Sequence, residues 1–170
     1  SERSKKQRIT TNRGMIRRTF LEKGLPYVSE LALANCQDLK KILQWNAERD
    51  IHFFRMSSGL FPWGSEYAFE DLPDYEAIAE TLFECGLFAE EHDIRITTHP
   101  DHFNKLTSPK ESVILNTIKD LELHGRMFDL LCLARSPVAK INIHVGAAYD
   151  DKQMALDKSS MRRDEWQTRT

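Results

Sequence analysis

Three short runs rich in β-branched and aromatic residues recur about every 40 residues along the chain: "IHFFRMSS" (Ile51 to Ser58), "IRITTH" (Ile94 to His99) and "AKINIHVG" (Ala139 to Gly146). No other feature constrains the fold as strongly. Each run is preceded by a longer segment with helical periodicity, so the chain reads as strands separated by helices. Strands this far apart cannot be joined by tight hairpins. A crossover that contains a helix makes them parallel, and such crossovers are right-handed. The expected class is α/β with a parallel sheet.

The helices carry clear marks. Asp38 to Arg49 places Leu39, Ile42, Leu43 and Asn46 on one face, and Asp74 to Glu91 does the same with Tyr75, Ile78, Ala79, Leu82 and Phe83. A third helix starts at "SPKE", with Ser108 as N-cap, Pro109 at the first helical position and Glu111 closing a capping box. Its apolar stripe is Val113, Ile114, Ile118, Leu121 and Phe128.

Two architectures fit such alternation, an open doubly wound sheet and a (β/α)8 TIM barrel. No GxGxxG or GxxxxGK[ST] follows any strand, which removes the main support for a nucleotide-binding open sheet. A whole barrel takes about 250 residues, and the first clear element before Ile51 is a helix rather than a strand. The chain opens at Ser1 without methionine, and 157–170 is polar. The expectation is a single partial TIM-barrel domain over 1–170 with three to four βα units, cut from a longer protein. It would carry a basic, poorly ordered arm at 1–12 and a polar tail at 157–170.

Composition bounds the setting. Apolar residues make up 41% and charged residues 29%, an ordinary globular balance. Cys36, Cys85 and Cys132 are odd in number, far apart and without a CxxC; each lies among apolar neighbours and reads as a buried free thiol. No stretch approaches the roughly 18 apolar residues of a membrane span. The expected location is cytoplasmic, or nucleoid-associated in a bacterium. The net charge of −2 hides seven Lys/Arg against one acid in Ser1 to Arg18. Such an arm either meets phosphates or is merely solvated.

Ligands of parallel α/β folds gather at the carboxyl ends of the strands, where Ser57, His99 and His144 fall. His99 and His144 end strands one crossover apart, so both imidazoles can converge on one divalent ion. They can equally be hydrogen-bonded structural groups, and spacing leaves both readings open. Asp101 and His102 are ligands, nucleic-acid contacts or turn formers, and Phe103 is a rim cap or a wedge that stacks on a base. Glu66, in "FPWGSEY", is a possible third ligand on the same face. His52 opens a strand, His92 sits near a helix C-terminus and His124 lies inside a helix; structural or surface roles are favoured for all three.

"FFRMSSGLFPW", "ITTHPDHF", "LTSPKESVILNTIKDLELHGRMFDLL" and "KINIHVGAAYDDKQMAL", in this order, resemble the UV damage endonuclease family of DNA repair over roughly Thr10 to Leu156. The resemblance implies a TIM barrel related to endonuclease IV. It also implies nicking of double-stranded DNA on the 5′ side of UV photoproducts with a cluster of divalent metals, typically manganese. His99 and His144 then become metal ligands, and His102 and Phe103 match the pair that probes the gap left by a flipped lesion.

There are departures from the family pattern. HPGQ becomes His99-Pro100-Asp101-His102, and the histidine ending the family's PFASH-like loop becomes Glu66. The later acidic ligands have no counterpart in Asp157 to Thr170. Two other readings stand beside this one: a xylose-isomerase-like TIM-barrel metal enzyme, and an inactive fragment that binds DNA or a partner without cleaving. Arg13, Arg17 and Arg18 favour DNA over a sugar, since DNA calls for a basic groove.

Overall fold

The computed structural model describes residues 8–100, 104–133 and 139–143. A strap, 8–16, leads into α1 (Arg17–Ala47), followed by β1 (Phe53–Met56), α2 (Tyr75–Glu91), β2 (Arg95–Thr98), α3 (Glu111–Leu130) and β3 (Lys140–Ile141). Two short 3-10 turns, Ser58–Leu60 and Phe69–Asp71, lie in the long β1–α2 loop. The sheet order is β1-β2-β3 and both pairings are parallel. A doubly wound sheet reverses its order at a switch point. Consecutive order without reversal is instead how a barrel wall grows.

The same device closes α1 and α2 and launches the strand that follows. Asp50 and Asp93 take left-handed backbone conformations, with φ of 54° and 51°. The next amide reaches back five residues, Ile51 N–H to the Asn46 carbonyl at 3.0 Å and Ile94 N–H to the Ala89 carbonyl at 2.8 Å. This is the Schellman closure, and aspartate tolerates the left-handed position better than most residues. "RDIHF" and "HDIRI" are thus one repeated junction.

The helices pack side by side, α1 on α2 and α2 on α3. Leu39 and Leu43 of α1, Ile78 and Leu82 of α2, and Met127 of α3 are fully buried with Met56 and Ile96 of the strands. Each such side chain contributes roughly 1.5–3 kcal/mol by leaving water. Gly86 permits the close approach of α2 to the end of α3, where a Cβ would drive into the Leu131 carbonyl.

Four details differ from expectation. α1 begins at Arg17 rather than Asp38, with a break at Gly24 (φ 64°) and Pro26 just beyond it; these two residues interrupt the periodicity that marks the later half. α3 begins at Glu111 with Lys110 as its N-cap and no side-chain cap bond. Ser108 instead accepts from the Lys110 amide at 3.2 Å, a local turn two residues early. Phe83 and Cys132 are exposed rather than buried. Cys132 takes the left-handed position that ends α3, with φ 50°. Finally, 8–12 are not a loose arm, since Thr11 is buried and the Thr10 amide donates to Asp38 Oδ2 at 3.0 Å.

Candidate functional site

Register decides what meets at the carboxyl end of the sheet. Met56 is paired with Thr98, and Thr98 with Ile141. The next residue of each strand, Ser57, His99 and Asn142, therefore lies in one row. The Asn142 amide donates to the Thr98 carbonyl at 2.9 Å. His99 Nδ1 lies 2.6 Å from the Asn142 carbonyl oxygen. A carbonyl only accepts, so Nδ1 carries the proton and the ring's lone pair sits on Nε2. That tautomer, fixed by a backbone carbonyl, is the one in which metal-binding histidines are held.

Strand alternation assigns the two faces. Ile96 and Thr98 face the helices, where both are buried. Arg95, Thr97 and His99 follow one another along the opposite face. Thr97 Oγ1 is buried there without a hydrogen-bond partner among the described residues. An imidazole with its lone pair on Nε2, above an unsatisfied hydroxyl, suits a hydrated divalent ion.

Behind Thr98, on the helix side, lies His124 of α3, which is fully buried. Its Nδ1 is 2.7 Å from Thr98 Oγ1. Its Nε2 has no hydrogen-bond partner among the described residues and faces Asp120 Oδ2 at 3.7 Å. Asp120 also accepts from Asn104 Nδ2 at 2.5 Å, which ties the loop after β2 to α3. Burial, aided by the nearby His99, pushes the His124 pKa down to about 4, so the ring is neutral at pH 7. Helical position suggests a structural or surface role for His124 and does not reveal its closeness to the strand end. The available signal was its place on the apolar stripe, three residues after Leu121 and four before Phe128.

The loop after β1 is built on aromatic contacts. Phe61 stacks on Phe69 at 4.0 Å, and Arg126 of α3 lies over Phe69 at 4.4 Å while pairing with Glu70 at 2.6 Å. Trp63 Nε1 donates to the Met15 carbonyl at 3.1 Å. Between this loop and α3 opens a cavity of about 370 Å³ whose lining includes Trp63, Ser65, Asn104, Asn116 and Asp120. Glu66 lies beside it with an exposed side chain. Ser57 caps the first 3-10 turn by accepting from the Gly59 amide at 3.0 Å, and donates to Asn12 Oδ1 at 3.2 Å. It holds the strap and the loop together.

Arg13 is engaged within the fold. Its guanidinium pairs with the nearly buried Asp38 at 2.5 Å and donates to the carbonyls of Thr10 at 2.7 Å and Arg8 at 3.1 Å. Burial pushes the Asp38 pKa up, but hydrogen bonds from Lys41, Arg13 and the Thr10 amide, with the Arg13 charge, outweigh it and hold the carboxyl below its usual range. Arg18 pairs with Glu22 at the surface, at 2.8 Å.

Among the described residues, no three His, Cys, Asp or Glu side chains gather into a metal-binding group. His99 and Glu66 lie on the same end of the sheet as successive βα loops. Asp101, His102, Phe103 and His144 lie outside the described residues. His52 and His92 sit at the opposite end: His92 stacks on Phe88 at 3.9 Å, and His52 Nδ1 meets the His92 carbonyl at 3.2 Å.

Known proteins are similar to this chain in sequence and fold. The family model for UV-endonuclease UvdE matches residues 2–165. The UV-damage endonuclease of Neurospora crassa is 38% identical over 141 residues, covering 81% of this chain and 21% of that one. The UV DNA damage endonuclease of Clostridium perfringens is 32% identical over 150 residues, covering 88% and 36%. The crystal structure of SacUVDE superposes with a TM-score of 0.77 at 28% identity, covering 87% of this chain and 48% of that one. The chain thus spans about half or less of the length of these relatives, and its three-stranded parallel sheet with its helices matches part of the SacUVDE barrel. The chain belongs to the UV-endonuclease UvdE family.

Proposed function

We propose that this chain supplies part of the catalytic face of a metal-dependent DNA repair endonuclease that nicks DNA 5′ to UV photoproducts. The observation that carries the metal assignment is the His99 ring, held by the Asn142 carbonyl at 2.6 Å with its lone pair on Nε2 at the carboxyl end of the sheet. The names of the relatives support the substrate class.

His99 holds the ion in this reading, with His144 and Glu66 completing the ligand set contributed by these strands. A divalent ion, manganese for preference, lowers the pKa of its bound water and stabilises charge on the scissile phosphate when bound. His102 and Phe103 probe the opened helix, since a damaged base pair costs least to unstack. The ordered β1–α2 loop forms one wall of the groove that the DNA enters.

UV-irradiated and unirradiated supercoiled plasmid, incubated with the protein and Mn2+, distinguish the readings. Nicks that depend on irradiation and on Mn2+, and that fall by about a hundredfold or more in His99→Ala, are expected. Retention of irradiated DNA without nicks would instead favour a binding fragment.

A further inference from the structure

We propose that His124 is a positioning residue for His99 that acts through Thr98. This rests on the reading of His99 as a metal ligand. Thr98 and His99 are consecutive residues at the end of β2, so their side chains leave the strand on opposite faces. Whatever fixes Thr98 on the helix side fixes the rotation of the strand that presents His99 on the other.

The hydroxyl of Thr98 has one proton and two nearby acceptors, His124 Nδ1 at 2.7 Å and the Met56 carbonyl at 3.4 Å. Distance favours donation to Nδ1. The alternative tautomer, with the proton on Nδ1, would turn a bare Nε2 lone pair toward the Asp120 carboxylate 3.7 Å away. With the proton on Nε2, that edge of the ring is attractive to Asp120. Both contacts therefore select the same state, in which His124 accepts from Thr98.

The His99 ring is then located from two sides. Its tip is held by the Asn142 carbonyl on the neighbouring strand at 2.6 Å. Its backbone is held through Thr98 by a fully buried ring on α3. Asp120 and Asn104, joined at 2.5 Å, extend the same connection to the loop that follows His99. Ligand supports of this kind commonly change metal affinity when removed.

Titration of the full protein with Mn2+, followed by the loss of the free-ion EPR signal, tests the assignment. Thr98→Val keeps the shape and removes the hydroxyl; His124→Phe keeps a buried ring and removes the acceptor. Each is expected to weaken Mn2+ binding by about tenfold or more. The double variant is expected to be no weaker than either single one, because both cut one connection. His124→Asn, whose Oδ1 replaces Nδ1 as acceptor, is expected to keep the affinity within about twofold.

Should His124→Phe not fold, Thr98→Val and His124→Asn carry the test. Wild-type affinity in Thr98→Val and His124→Phe, alongside a large loss in His99→Ala, would overturn the positioning role and leave the ligand reading intact. Additive losses in the double variant would also overturn it. Unchanged affinity in His99→Ala would overturn the ligand reading and the positioning role with it.

Discussion

His124 gives the protein a stability signature distinct from that of its carboxylates. Its folded pKa of about 4 lies below the ordinary histidine value of 6.5, so the unfolded chain takes up the proton first. Stability is intact above about pH 6.5 and falls as pH drops toward 4, by roughly 2 kcal/mol at pH 5 at 1.36 kcal/mol per pKa unit. His124→Asn does not titrate and should lose that much less between pH 7 and 5 in urea unfolding. Equal losses in both proteins would contradict the assignment. Asp38 acts in a lower window: its depressed carboxyl contributes above the unfolded value of about 3.8 and loses that contribution as pH falls through its folded value. Arg13→Ala should lower unfolding stability by roughly 1–2 kcal/mol, since it removes one of the two charged donors to Asp38 and leaves only Lys41. It should leave the salt dependence of DNA binding unchanged, because Arg13 is spent inside the fold. At this scale His99 and Ser57 could be read from the strand pattern, which ends at them. Arg13 could not, because charge alone does not reveal that a guanidinium is shared between Asp38 and the carbonyls of Thr10, Ala34 and Arg8.

Among the elements, the strands, α2, α3 and the later half of α1 are visible because the apolar periods of two and 3.6 survive there. The early half of α1 was hidden by Gly24 and Pro26, which read as chain breakers and in fact make a kink between two helical stretches. The N-cap of α3 was misplaced because Ser108 satisfies a turn amide rather than a helical one. The crossing of α2 with the end of α3 at Gly86 left no mark in the sequence either, since a glycine within a helix signals nothing until the facing backbone is known. Gly86→Ala should cost roughly 1–3 kcal/mol in chemical denaturation. A wild-type unfolding midpoint would show that the helices do not approach so closely. Gly24→Ala should cost about 1–3 kcal/mol for placing a Cβ at φ 64° and ψ −161°, a region open essentially to glycine alone.

At the scale of the whole molecule, sequential parallel order in the sheet is what a barrel wall requires, and the likeness to SacUVDE extends over 87% of this chain. Strand spacing made that order legible. Whether Glu66 and the histidines meet at one point was not, because that depends on loop paths that spacing does not determine. The functional claim is that this face directs a cut to one side of a UV lesion. A duplex oligonucleotide with one cyclobutane dimer, labelled at the 5′ end of the damaged strand and incubated with the protein and Mn2+, tests it most directly. One labelled product ending on the 5′ side of the dimer is expected, absent without Mn2+ and absent from undamaged duplex. A cut on the 3′ side, or equal cutting of the undamaged duplex, would contradict it.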